Sequence, residues 1–113
     1  MRKDLVNWQW GLYSDVHSTR QNLLIHVLTV PVFQAGTLVL ATTPVLGWTG
    51  LAGLALMIAA IAAQGRGHRT ETKPSVPFTG AGDFVSRFMV EQWINFPRYV
   101  LSGEFRRAWR SAS

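Results

Sequence analysis

The hydrophobic pattern of this chain is dominated by one long apolar stretch. Positions 21–65 contain no Asp, Glu, Lys or Arg. As a single helix they would extend about 67 Å, more than twice the hydrocarbon thickness of a bilayer, which is about 30 Å. Turn-forming residues interrupt the stretch at 42–44 (TTP) and at 47–50 (GWTG). We therefore predict two membrane-spanning helices joined by a turn, over about 22–41 and 45–63.

The segments on either side of the apolar stretch have the periodicity of amphipathic helices. Residues 3–16 place four apolar side chains on one stripe: Leu5, Trp8, Leu12 and Val16. Residues 83–101 repeat the pattern, with Arg87 and Glu91 on the polar face. Between the second span and the second amphipathic helix, residues 64–82 are rich in Gly, Pro and polar residues. This segment is predicted to be a loop that carries His68. The predicted fold is one all-α domain, a membrane-embedded helical hairpin flanked by two amphipathic interfacial helices.

Small residues suggest how the two spans pack. Ala55, Ala59 and Ala63 recur every four residues in the second span, a spacing that permits close approach of two helices. We expect this stripe to face the first span. A contact between two copies of the chain, giving a homo-oligomer, is the alternative.

The distribution of charge suggests an orientation. The chain has 113 residues, a net charge of +5 and no cysteine. Basic residues precede and follow the apolar stretch, whereas the predicted turn has none, which is the positive-inside pattern of a hairpin with both termini in the cytoplasm. Such a charge can also indicate nucleic-acid binding, but this placement favours a membrane surface. We expect an integral membrane protein with no nucleic-acid partner.

The candidate chemistry begins with the histidines, of which the chain has three. Asn22 and His26 are four residues apart and share one helix face. His17, nine residues before His26, would point away from it on a straight helix. Ser18 followed by Gln21 resembles a capping box, which would start a new helix and place His17 at a joint. A joint can direct the His17 side chain back toward His26.

A titratable residue inside a membrane span is costly and usually faces a functional site. His26 is such a residue. The alternative is a purely structural role, in which His26 is neutral and hydrogen-bonded to a backbone carbonyl that Pro31 leaves without a partner. If the hairpin returns His68 and Glu71 to the same end as His17, a metal site becomes possible. Imidazole with carboxylate suits Fe(II), Zn(II) or Mn(II), although three histidines near one interface can also be ordinary amphipathic residues.

Two ordered motifs carry a resemblance to a known family. The first is Y-x3-H-x4-N-x3-H-x4-P from Tyr13 to Pro31, and the second is Q-x2-G-H-x2-E from Gln64 to Glu71, followed by Pro74. Over about residues 8–101 the chain resembles the Mpo-type family of small membrane proteins. The fungal member of that family is the 2-hydroxy fatty acid dioxygenase of phytosphingosine breakdown.

The resemblance implies an Fe(II)-dependent enzyme that uses O2 to shorten a 2-hydroxy fatty acid by one carbon in alpha-oxidation. It implies iron ligation by His17, His26 and His68. Asn22 and Glu71 would be further residues of the catalytic site, with Glu71 either a ligand or a partner of a ligand.

The substrate carboxylate would need a cation near the membrane surface. Arg20, Arg66 and Arg69 flank the spans, and an arginine fork matches a carboxylate. Each could equally contact lipid headgroups. A non-catalytic membrane subunit or scaffold with structural histidines is the alternative function, and metal content discriminates the two.

Overall fold

The structure is a computed structural model that describes residues 4–112, and within that range it is helical, with no strand. The all-α prediction is therefore confirmed. The expectations that rest on Arg2 and Lys3, including the start of the first helix at position 3, lie outside the described residues.

The hairpin is the centre of the fold. Helix α2 covers Arg20–Ala41 and continues through Pro31. The short helix α3, Thr43–Leu46, and a 3-10 turn, Gly47–Leu51, then lead into α4, Ala52–His68. Two segments, Arg20–Ala41 and Thr43–His68, are long and apolar enough to cross a membrane.

The second long helix extends beyond the predicted end at position 63. Gly65 and Gly67 weaken it locally, but the Gln64 side chain and Gly67 are buried in the protein. Tertiary packing often overrides the low helix propensity of glycine in this way. His68 is therefore the last residue of α4 rather than part of a loop.

The two long helices pack through small residues, but not through the predicted alanine stripe. Ala55 and Ala59 are exposed, so that prediction is wrong. The helices instead meet at Gly36 and Gly53, where a Cβ on Gly36 would lie only 2.7 Å from the Gly53 carbonyl oxygen. The buried positions of α4 are 53, 60, 64 and 67. These positions are separated by seven, four and three residues, so they share one helix face, which is a different face from the one that carries Ala55 and Ala59.

The remaining helices pack along the hairpin, with contacts to α2 that extend as far as Thr37. They are α1, Leu5–Tyr13, with a 3-10 turn at Ser14–Val16; α5, Ala81–Val90; α6, Phe96–Leu101; and α7, Glu104–Ser111. A π-helical turn, Glu91–Asn95, joins α5 to α6. These elements bring the N-terminal and C-terminal parts of the chain together around a core of five residues: Tyr13, Leu23, Val30, Phe96 and Tyr99.

The polar face of the α5–α6 segment points inward. Its buried polar side chains are Asp83, Arg87, Gln92 and Asn95. Its apolar side chains Val85 and Ile94 are 57% and 45% exposed. This amphipathic segment is therefore oriented opposite to one on a water-soluble protein, whose polar face would meet the solvent.

The π-helical turn has an identifiable cause. Phe96 N–H donates to the Glu91 carbonyl, five residues back. Pro97 follows and has no N–H, so the next carbonyl, that of Gln92, needs another donor. Gln34 Nε2 of α2 supplies it at 2.7 Å, and the Gln92 and Gln64 amides pair reciprocally at 2.8 and 2.9 Å. These contacts hold the helix that carries Glu91 against the hairpin.

Candidate metal centre

The chain breaks between α1 and α2 at the position that the sequence indicated, but the capping residue differs. Thr19, not Ser18, is the N-cap of α2, and Thr19 Oγ1 accepts a hydrogen bond from Asn22 N–H at 3.1 Å. The predicted capping box is therefore wrong. His17 lies just before this cap in a non-helical conformation, with φ −134° and ψ 61°. The break returns its side chain to α2.

All three histidines meet at this break. The ring centroids are separated by 4.6 Å for His17 and His26, 4.7 Å for His17 and His68, and 5.0 Å for His26 and His68. Glu91 completes the group, and one ligand atom from each of the four residues lies within 4.8 Å of the others. We call these four residues the His3Glu cluster. Its geometry could hold a metal ion.

Hydrogen bonds on the far side of each ring orient the histidines. His17 Nδ1 lies 2.8 Å from the Tyr13 carbonyl oxygen, and His26 Nδ1 lies 2.9 Å from that of Asn22. A carbonyl oxygen can only accept, so both Nδ1 atoms carry the proton and both Nε2 atoms face the cluster. Such outer hydrogen bonds are typical of metal-binding histidines. Ser75 Oγ is 3.2 Å from His68 Nδ1 and can do the same for that ring.

The inner atoms of the cluster are all hydrogen-bond acceptors when both histidines are neutral. His17 Nε2 and His26 Nε2 are 3.3 Å apart, and Glu91 Oε2 lies 3.2 and 3.3 Å from them. Tyr13 O–H donates to that same carboxylate oxygen at 3.0 Å, but it reaches neither imidazole. Three converging lone pairs repel one another unless a cation lies among them. A metal ion or an added proton on one histidine would meet that requirement.

The electrostatics of His17 and Glu91 suit metal ligation. Burial lowers the pKa of His17 and nearby His26 lowers it further, although Glu91 opposes both effects. Burial raises the pKa of Glu91, but hydrogen bonds from His17 and His26, which require a proton on their Nε2 atoms, outweigh it and leave that pKa well below its usual value. Neutral imidazole and ionised carboxylate are the forms that bind metals.

Glu71 lies next to the cluster but outside it. Its carboxylate accepts hydrogen bonds from the backbone N–H groups of Ser18 and Thr19 at 2.8 to 3.0 Å and from Asn22 Nδ2 at 2.9 Å. Partial burial raises its pKa, but a hydrogen bond from the Ser18 hydroxyl, together with these backbone and Asn22 bonds, lowers it to about 2. Glu71 thus fastens the segment after α4 to the start of α2. Of the two predicted roles, this placement matches a partner that acts on His26 through Asn22.

Glu91 is the carboxylate that the sequence analysis missed. The sequence pattern places it with Arg87 on a polar face, and a polar face normally meets water. Its side chain is instead only 12% exposed. The signal that could have identified it is its position in a segment next to two spans, where the apolar face can meet lipid and the polar face the protein interior.

An apolar cavity opens onto the cluster. It has a volume of about 190 Å³. His17, His68 and Glu91 form part of its wall. Most of the rest comes from α1 and the 3-10 turn after it, from α5 and from the segment before α5, including the apolar side chains of Trp8, Leu12, Val16, Val76, Phe78 and Phe88. An engineered cavity of about 150 Å³ is enough to bind benzene. The space therefore suits part of an alkyl chain.

The structure does not bring the three predicted substrate-binding arginines to this cavity. All three are exposed, and Arg20 Nε donates to the Trp109 carbonyl oxygen at 3.0 Å. Arg66 and Arg69 lie near the end of α4, also outside the cavity wall formed by the described residues. The arginine in that wall is Arg87.

Comparisons of the chain with known protein families, with curated proteins and with solved structures gave no match. The geometry of the site is therefore the basis for assigning a function.

Proposed function

We propose that this protein is an integral membrane, Fe(II)-dependent dioxygenase that shortens 2-hydroxy fatty acids by one carbon. The observation that carries the proposal is the convergence of His17, His26 and His68 with Glu91 at the edge of an apolar cavity. Three imidazoles and one carboxylate are suitable ligands for Fe(II). The motif resemblance supports the choice of substrate.

The surface of the hairpin supports a membrane location. Large apolar side chains are exposed along both long helices, among them Leu28 at 63%, Leu38 at 61% and Ile58 at 57%. Of the buried side chains in residues 4–112, half are polar, including Asn22, Gln64 and Gln92. Such an inverted distribution is unfavourable in water and favourable in lipid. We place both spans in the bilayer.

Both termini should lie on the cytoplasmic side, because the basic residues flank the hairpin at its open end and the turn has none. Reporter fusions at each terminus, one active only in the cytoplasm and one active only outside it, will measure this. We expect the cytoplasmic reporter to be active at both ends. Opposite sides for the two termini would exclude the hairpin topology.

The proposed reaction balances without an added reductant. One 2-hydroxy fatty acid and one O2 yield a fatty acid one carbon shorter, one CO2 and one water. The C1–C2 bond breaks, C1 leaves as CO2, and C2 becomes the new carboxyl carbon. Oxidation of the substrate thus supplies all four electrons that O2 accepts. Fe(II) with open coordination positions would supply a place where O2 and the 2-hydroxy acid bind together.

The chain's own residues would bind the alkyl chain and orient the metal ligands. The apolar cavity would receive the alkyl chain next to the cluster. Tyr13 stacks on His17, with ring centroids 3.8 Å apart, and its hydroxyl orients the Glu91 carboxylate. Asn22 orients His26 through its carbonyl oxygen.

An O2-consumption assay on iron-loaded protein in detergent tests this function. We expect consumption with a 2-hydroxy fatty acid and release of equal amounts of CO2 and the shortened acid. The matched controls are the 3-hydroxy acid and the unsubstituted acid of the same length, which lack a hydroxyl next to the carboxylate and should give no turnover. If iron-loaded, folded protein consumes no O2 with 2-hydroxy acids of any chain length, the enzymatic proposal is wrong.

A non-catalytic membrane subunit remains the second candidate. It is favoured by the fact that one protonated histidine, paired with Glu91 at 3.2 or 3.3 Å, would also relieve the repulsion in the cluster. Such a protein would contain no metal. Association into homo-oligomers stays a prediction for either function.

A further inference from the structure

Arg87 occupies an unusual position for a charged side chain. It lies on α5 one helical turn before Glu91, and with His17 and His68 it forms part of the cavity wall. It is only 8% exposed. Arginine is rarely buried unless its donors are paired, so the partners of this one indicate what it does.

The hydrogen bonds of Arg87 leave part of its guanidinium unused. Its Nη1 lies 3.2 Å from the Pro77 carbonyl oxygen and 3.4 Å from Asp83 Oδ2, and its Nη2 donates to the Val76 carbonyl oxygen at 2.8 Å. A guanidinium has five N–H donors, so at least two remain. One of them is the buried Nε–H, which has no hydrogen-bond partner among residues 4–112. An unpaired buried donor is costly and points to a missing acceptor.

The surroundings of Arg87 fix its orientation. The guanidinium carbon lies 4.2 Å from the ring centroid of Phe78 and 5.2 Å from that of Trp8. Both rings also form part of the cavity wall. A guanidinium that packs against two aromatic rings is pre-organised, so little conformational entropy is lost when an anion binds.

We infer that Arg87 binds the carboxylate of the fatty acid in the apolar cavity, through the N–H groups that its present hydrogen bonds leave unused. This inference rests on the proposed function for the identity of the ligand, but binding through Arg87 does not require turnover. It replaces Arg20, Arg66 and Arg69 in the role that the sequence suggested for them. An anion there would lie one helical turn from Glu91, close enough for C1 and C2 to approach the cluster.

Displacement of a fluorescent fatty acid from the purified full-length protein under argon tests the inference. Two competitors are compared, a sixteen-carbon 2-hydroxy fatty acid and its methyl ester. Wild type should prefer the acid by about 10- to 100-fold, the range expected for hydrogen bonds to a charged group. Arg87→Gln should lose most of that preference. Arg87→Lys should restore only part of it, because lysine keeps the charge but lacks the planar fork.

Arg66→Gln and Arg69→Gln are the matched controls, and both should keep the wild-type preference. The inference is overturned if wild type binds acid and ester equally, or if folded Arg87→Gln or Arg87→Lys keeps the full preference. Helical circular dichroism will show whether Arg87→Gln is folded. If it is not, the inference is tested by the acid and ester affinities of wild type and of Arg87→Lys. An Arg87-dependent preference without O2 consumption would leave this inference standing and remove the dioxygenase proposal.

Discussion

His26→Ala will remove most of the bound iron. The His26 side chain is completely buried, and its Nε2 lies about 3.3 Å from both His17 Nε2 and Glu91 Oε2. Alanine removes a ligand at the centre of the cluster, whereas the rest of α2 remains packed against α4. Iron per chain, measured after anaerobic purification in detergent, should fall to a small fraction of the wild-type value. His17→Ala and His68→Ala should have the same effect.

Ser75→Ala is the matched control for these variants. It removes the partner of His68 Nδ1 but no member of the cluster. Loss of such an outer contact typically lowers metal affinity by about 10- to 100-fold, which is less than the loss of a ligand. Helical circular dichroism will show whether each variant is folded. Any histidine variant that retains full iron and full oxygenase activity would show that this histidine is not a ligand.

Glu91→Gln will also lose iron, whereas Glu71→Gln will retain most of it. Glutamine preserves the shape of Glu91 but removes the negative charge that a cation needs. Its amide can donate to one of the two imidazoles, so the variant should stay folded. Glu71→Gln instead replaces a carboxylate that receives donors from Ser18, Thr19 and Asn22. It should lower the thermal midpoint and reduce iron affinity by at most about 100-fold.

The two glutamine variants are informative because they compare two carboxylates of the same site. Iron affinity, measured by competition with a chelator, gives the decisive quantity. If Glu71→Gln loses iron completely and Glu91→Gln keeps it, Glu71 is the carboxylate ligand and the assignment made from the structure is reversed.

Much of the fold follows from local features of the sequence. The uncharged stretch and its turn residues predicted two long apolar helices, because neither depends on distant contacts. The clustering of His17, His26 and His68 was predicted from a break in the helix before position 20 and from the return of the chain through the hairpin. The capping residue was predicted wrongly, because Ser18 and Thr19 are adjacent and both are good N-caps. Both hydroxyl groups also donate to Glu71, a contact that the local sequence does not reveal.

The features that were missed depend on which face of a helix meets which environment. Glu91 and Arg87 form a polar face that points inward. The periodicity shows that they share a face, but it does not show whether that face meets solvent or the protein interior. The π-helical turn that positions Glu91 depends on a contact between Gln34 and Gln92, which are 58 residues apart. The alanine stripe failed for a related reason. Helix α4 has two faces with small residues. The face that contains Gly53 is the one in contact with α2, because Gly53 packs against Gly36.

The central claim is that the His3Glu cluster binds iron. Metal analysis of the wild-type protein, purified anaerobically in detergent and supplied with Fe(II), tests it most directly. The account predicts about one iron per chain, lost in Glu91→Gln and retained in Arg66→Gln. A folded wild-type protein that binds no divalent metal under these conditions would contradict the account and favour a structural histidine cluster held together by a proton.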